Sequence, residues 1–78
     1  MYKIGVIGDK DSVMGFLALG LDVFETSGEK ETADRIRKMA AEGYAAVYIT
    51  EQAAAQVMDV IDEYKDSQLP AIILIPGI

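Results

Sequence analysis

The run Gly8-Asp9-Lys10-Asp11-Ser12 gathers a dense set of side chains able to do chemistry. Asp9 and Asp11 offer hard carboxylate oxygens of the kind that Mg²⁺ accepts. A glycine followed by polar residues also stands where a phosphate-binding loop would. That second reading lacks its other parts: no further glycine is near, no Gly-Lys-Ser/Thr ending follows, and two acids would face the anion. A polar turn that caps a helix accounts for the same residues. Glu25 could imitate the ribose-binding acid of a dinucleotide site, yet without the glycine fingerprint it reads as an exposed strand-end carboxylate.

The metal pair meets a similar limit. A phosphorylated receiver adds an aspartate at the end of the third strand, within reach of the metal, whereas this chain has Ile49-Thr50 there and Glu51 at the start of the next helix. Thr50 cannot form an acyl phosphate, so Asp9 and Asp11 read as solvated turn acids. Ser12, Thr26, Ser27 and Thr50 are hydroxyls with no histidine to activate them, and Lys10 is held charged by its acidic neighbours. No catalytic residue, cofactor-binding residue or metal ligand is assigned, and the chain is expected not to be an enzyme. With no Cys and no His, disulfides, thiol chemistry, zinc clusters and imidazole acid/base catalysis are excluded.

The elements that carry these residues follow from the apolar pattern. Ile4-Gly5-Val6-Ile7, Leu21 to Phe24, Ala45 to Ile49 and Ala71 to Ile75 are short, nearly continuous apolar runs, which predict strands buried on both faces. Strands are predicted over 2–7, 21–25, 44–49 and from Pro70 to Pro76. The first helix is capped by Asp9, Asp11 or Ser12, turns Val13, Phe16, Leu17 and Leu19 toward the sheet, and ends at Gly20. Thr26 with Glu29 has capping-box spacing, and Ala33, Ile36, Met39 and Ala40 form the apolar stripe of the second helix, closed by Gly43. Glu31 with Arg35 and Asp34 with Lys38 are the expected ion pairs on its outer face. A third helix, capped by Thr50, presents Ala54, Val57, Met58 and Ile61. Met14, Met39 and Met58 are read as core filler, and Tyr44, Tyr48 and Tyr64 as residues at the rim of the core.

Strand-helix-strand units of this length run parallel with right-handed crossovers. The expected fold is an open parallel four-stranded α/β sheet of order 2-1-3-4, flavodoxin-like or receiver-like, forming one domain over residues 1–78. The first helix then lies on one face and the second and third on the other. Inner side chains of the third and fourth strands on the first helix's side are left bare, and a helix after Ile78 is expected to cover them. Self-association through that face is expected too. A net charge of −6 argues against nucleic acid and anionic membrane surfaces and favours a basic or neutral partner. No apolar run approaches the ~20 residues of a membrane span, and Met1-Tyr2-Lys3-Ile4 leads directly into a strand. A cytoplasmic location follows.

Landmark residues add a resemblance. Tyr2 to Asp9, Val13-Met14-Gly15-Phe16, Leu19-Gly20-Leu21, Ile49-Thr50-Glu51, Leu69-Pro70 and Ile75-Pro76-Gly77 resemble, in order and spacing, the F subunits of the V/A-type ATPases and ATP synthases. The resemblance spans essentially the whole chain. It implies a receiver-like protein of the rotary central stalk that binds the coiled-coil D subunit, together with the catalytic head. It also implies no active site, no cofactor, no membrane insertion and a cytoplasmic position peripheral to the membrane. Members of the family couple rotor and head during ATP synthesis or hydrolysis linked to proton or sodium transport. The family continues past the equivalent of Pro76-Gly77 into a C-terminal helix associated with regulation, so this chain is expected to be the globular part alone. Two other readings stay open: a degenerate, Mg²⁺-responsive receiver-like signalling domain resting on Asp9 and Asp11, and a small nucleotide-binding enzyme.

Overall fold

A computed structural model describes residues 3–77. Strands β1 (Lys3–Gly8), β2 (Asp22–Glu25), β3 (Tyr44–Thr50) and β4 (Ala71–Ile75) pair in parallel in the order β2-β1-β3-β4. The expected sheet is the observed one. Tyr2, the predicted start of the first strand, lies outside the described residues. The helices are α1 (Lys10–Val13), continued by a 3-10 turn over Met14–Leu19, then α2 (Glu29–Ala41), α3 (Glu51–Ala55) and α4 (Met58–Glu63).

The core lies on one side of the sheet. Ile7, Val47 and Ile49 meet Ile36 and Met39 of α2, Ala54 of α3, Val57, and Val60 of α4. Residues in register share a face of the sheet, so Phe24, Ile7, Ile49 and Leu74 form one row on this side. Gly5 lets α2 close on β1: a Cβ there would collide with Met39 Cε and stand 3.2 Å from the Tyr44 ring. Gly43, at φ 81°, turns the chain from α2 into β3 through a conformation that side-chain-bearing residues avoid.

A register shift sets the start of β3. Lys3 pairs with Tyr44 but Ile4 pairs with Ala46, so Ala45 is an extra residue and Tyr44 turns to the core face. The buried Tyr44 ring meets Phe24 edge-on at 6.3 Å, Lys3 Nζ stands 5.2 Å from its centroid, and its hydroxyl donates to Asp22 Oδ2 at 2.7 Å. Burial foremost, then the Asp22 bond and charge, pushes the phenol pKa from 10.0 up to about 12. The folded chain therefore holds this proton more tightly than the unfolded one. Its contribution is complete below pH 10.0 and is lost as the pH climbs toward about 12. Tyr44→Phe is expected to lower stability by about 0.5–1.5 kcal/mol near neutral pH and to flatten the alkaline fall. Urea midpoints measured across that pH window for both chains check it.

Three helix expectations need correction. Leu17 and Leu19 do not face the sheet: after four residues α1 tightens into the 3-10 turn, whose three-residue period rotates them outward, and Leu19 is 69% exposed. Val13 alone is fully buried there, with Phe16 half-buried. The Thr26 to Glu29 capping box does not form. Gly28 takes the cap position, Glu31 accepts from the Ser27 backbone N–H at 3.0 Å, and the Thr26 side chain is buried instead. The third helix is two, because Val57 leaves helical geometry at ψ 32° to reach the core. The buried series is consequently Ala54, Val57 and Val60, while Met58 is exposed.

The ion pairs on α2 also differ from expectation. Glu31 is occupied by Ser27 and Arg35 lies over the Phe24 ring at 4.4 Å, so Asp34 pairs with Lys30 at 3.0 Å in place of Lys38. Arg37 reaches Glu63 of α4 through two bonds of 2.9 and 3.0 Å, tying two helices across the surface. At this exposure each pair contributes under about 1 kcal/mol.

On the opposite side, α1 packs on β1 and β2, where Val6 and Val13 are fully buried. Over β3 and β4 the same side is open: Ala46 and Tyr48 are half-buried, and Ile73 is 40% exposed. The topology predicts this bare half directly.

Candidate functional site

The carboxyl ends of β1 and β3 meet at the point where the strand order reverses, the usual place for a ligand in an open α/β sheet. A hollow of about 210 Å³ lies there, lined by Asp9, Thr26, Thr32, Thr50, Gln52 and Gln56 among others. The Asp9 carboxylate and the three threonine hydroxyls are already engaged. The Asp9 carboxylate caps α1 by accepting from the Ser12 backbone N–H at 3.2 Å, and bonding to Ser12, its side chain foremost, holds the Asp9 pKa below the ordinary carboxylate value. Thr50 Oγ1 caps α3 by accepting from the Ala53 N–H at 3.3 Å. The Thr32 hydroxyl donates to the Gly28 carbonyl at 2.9 Å and lies 3.0 Å from the Thr26 hydroxyl. Among the described residues no buried side-chain nitrogen or oxygen lacks a partner.

The sequence candidates do not converge. Asp9 borders the hollow, but among the described residues no group of three or more acids comes together as a metal cage. Thr50 stands where a receiver would need its acceptor, and the hydroxyl is spent on a helix cap. Glu25 pairs in register with Gly8 but borders a different hollow, beside Glu31, Asp34, Arg35 and Lys38, which Asp9 does not line. Ser27 gives its backbone N–H to Glu31. Among the described residues Asp9 and Thr50 at this edge thus serve helix starts.

What the molecule presents instead is apolar surface. Met14, Leu17 and Leu19 stand out along the 3-10 turn, and Ile4, Ile73 and Leu74 are exposed on the sheet. The tyrosines divide: Tyr44 is buried, whereas Tyr48 and Tyr64 lie at the rim as expected. The exposed leucines of the 3-10 turn and the Tyr44 to Asp22 bond were not foreseen. Gly15 inside the first helix pattern hinted at the turn, and Asp22 on an otherwise apolar strand hinted at a polar partner.

Residues 4–78 match the family model described as ATP synthase (F/14-kDa) subunit. The chain belongs to this family of ATP synthase F subunits. It is 49% identical over 78 residues to the V-type ATP synthase F subunit of Clostridium perfringens, covering 99% of this chain and 74% of that one. The V-type ATP synthase F subunit of Fusobacterium nucleatum is 47% identical over 77 residues, with 99% and 73% covered. The A-type ATP synthase F subunit of Methanocaldococcus jannaschii is 37% identical over 59 residues, with 73% and 60% covered. The resemblance read from the landmark residues is thereby established.

Proposed function

We propose that the chain is a non-catalytic central-stalk subunit of a V/A-type rotary ATP synthase or ATPase. In this reading it binds the coiled-coil D subunit, lies near the catalytic head, and serves the coupling of ATP synthesis or hydrolysis to proton or sodium transport. The observation that carries the reading is the identity to V-type ATP synthase F subunits along nearly the whole chain. The geometry of the carboxyl edge supports it, since Thr50 and Asp9 act as caps there. Among the described residues no helix is long and apolar enough to cross a membrane. A cytoplasmic position, peripheral to the membrane, belongs to the stalk reading itself.

The reading is tested by titrating the chain with the coiled-coil region of the D subunit, with complex formation followed by calorimetry and gel filtration. A saturable one-to-one complex is expected. Because the chain carries a net charge of −6, association with a basic stretch of the partner should slow as salt is raised. A titration without heat or co-migration at high micromolar concentration would refute it.

A further inference from the structure

Residues 10–25, which carry α1, the 3-10 turn and β2, add little to the core. Val13 is the one buried side chain among them. No member of the main apolar cluster comes from this stretch, and of its side chains only Phe24 packs against that cluster, in part. We propose that residues 10–25 form a hinged flap that opens and closes on the otherwise folded domain, latched by the bond from the Tyr44 hydroxyl to Asp22.

The neck of the flap belongs to the body. The Thr26 N–H donates to the Gly8 carbonyl at 2.9 Å, so both ends of the stretch are tied at one place. Thr26 is itself buried, with its hydroxyl 3.0 Å from that of buried Thr32 on α2. The stretch can therefore leave the sheet while its ends stay fixed. Beyond the neck it is held by the ladder of β2 on Gly5 to Gly8 of β1 and by α1 packed on β1. On the α2 side the holding contacts converge on two residues. Asp22 accepts from the Tyr44 hydroxyl at 2.7 Å, and Phe24 meets the Tyr44 ring on its edge and Arg35 over its face.

The balance of effects favours separate opening. Release gives up the burial of Val13, of Val6 beneath it and of part of Phe24, and it returns the conformational entropy of the whole stretch. The body keeps Ile36, Met39, Val47, Ile49, Val57 and Val60 packed together. A unit with few buried contacts opens at a lower free energy than the core beside it. Met14, Leu17 and Leu19 ride on the flap, so a partner that grips them in the closed form would hold it shut.

Hydrogen exchange of the native chain, followed amide by amide at rising urea below the unfolding transition, tests the inference. The Val13 amide, which donates to the Asp9 carbonyl at 3.1 Å, and the β2 amides are expected to exchange on the order of a hundredfold faster than those of β3, with a shallower urea dependence. The Thr26 amide should follow β3. Tyr44→Phe and Asp22→Ala remove the latch from either side, and each should speed flap exchange about two- to tenfold. Val60→Ala, in the core cluster on α4, should speed β3 at least about tenfold and leave the flap rates unchanged. Urea melts confirm that each variant folds. Flap amides that match β3 in rate and urea dependence, or that speed up with it in Val60→Ala, would mean that the stretch opens only with the whole domain and would overturn the inference. Flap rates unmoved by both latch variants would overturn it too, as would a Thr26 amide that exchanges with the flap.

Discussion

Ile49→Ala is expected to destabilise the chain by about 2–5 kcal/mol, seen as a lower urea midpoint with an unchanged slope. Ile49 is fully buried at the centre of the sheet, in register with Ile7 of β1 and Leu74 of β4. It belongs to the cluster that joins the sheet to Ile36 and Met39 and to Val57 and Val60. Truncation removes three carbons from a site walled by two paired strands and by the helix layer of α2, α3 and α4, so little can move in to fill the space. A chain of 78 residues has total stability on the order of 4–12 kcal/mol, and the loss would consume a large share of it. Leu74→Ala supplies the contrast. Leu74 occupies the same row of the sheet but is 46% exposed at the edge, so its truncation opens no cavity and is expected to lower stability by about 1 kcal/mol or less. Equal losses at the two positions would mean that strand propensity, and not burial under α2 and α4, governs stability here.

The sheet was legible because parallel strands covered on both faces must be apolar at successive positions, and four such runs separated by helical patterns permit few topologies. The bare half over β3 and β4 was legible from handedness alone. Side-chain roles at the helix ends were not. Thr26 has capping-box spacing to Glu29, yet the chain places Gly28 at the cap because Thr26 is drawn inward beside Thr32. Leu17 and Leu19 fit a helical stripe, but α1 tightens into a 3-10 turn after one turn of α-helix, which changes the period. Val57 was assigned to the core correctly, although the kink that brings it there exposes Met58, its neighbour in the same expected stripe. The extra residue at Ala45 is set by pairing with β1, a long-range contact that local pattern does not encode. At the carboxyl edge the caps by Asp9 and Thr50 were legible, since capping depends on residue type and on the start of a helical pattern. Which surface does the binding depends on exposure, which the tertiary fold decides.

Gly8→Ala is expected to cost about 1–3 kcal/mol despite adding one methyl group to a strand end, where alanine is ordinarily harmless. A Cβ at position 8 would stand 2.5 Å from Thr50 Cγ2, 3.0 Å from Thr50 Oγ1 and 3.1 Å from Val13 Cγ1. None of these atoms can yield freely. Thr50 is fully buried and β-branched, and its hydroxyl is committed to the Ala53 N–H as the cap of α3. Val13 is fully buried and is the side chain that holds α1 against the sheet. Relief must come from moving α1 away or from rotating Thr50 off its cap, and a lost cap alone is worth about 1 kcal/mol. Thr50→Ser keeps the capping oxygen and removes Cγ2, so in the background of Gly8→Ala it should restore part of the lost stability, while by itself it should lower stability slightly. Such a reversal of sign in a double-mutant cycle is the signature of a direct steric contact. Gly15→Ala serves as control, because a Cβ there meets nothing within 4 Å, and it is expected to be neutral or stabilising by up to about 1 kcal/mol. If Gly8→Ala unfolds at the same urea concentration as the unaltered chain, the carboxyl edge has room that the Gly8, Thr50 and Val13 contact denies, and a ligand in that crevice becomes the better account of Asp9.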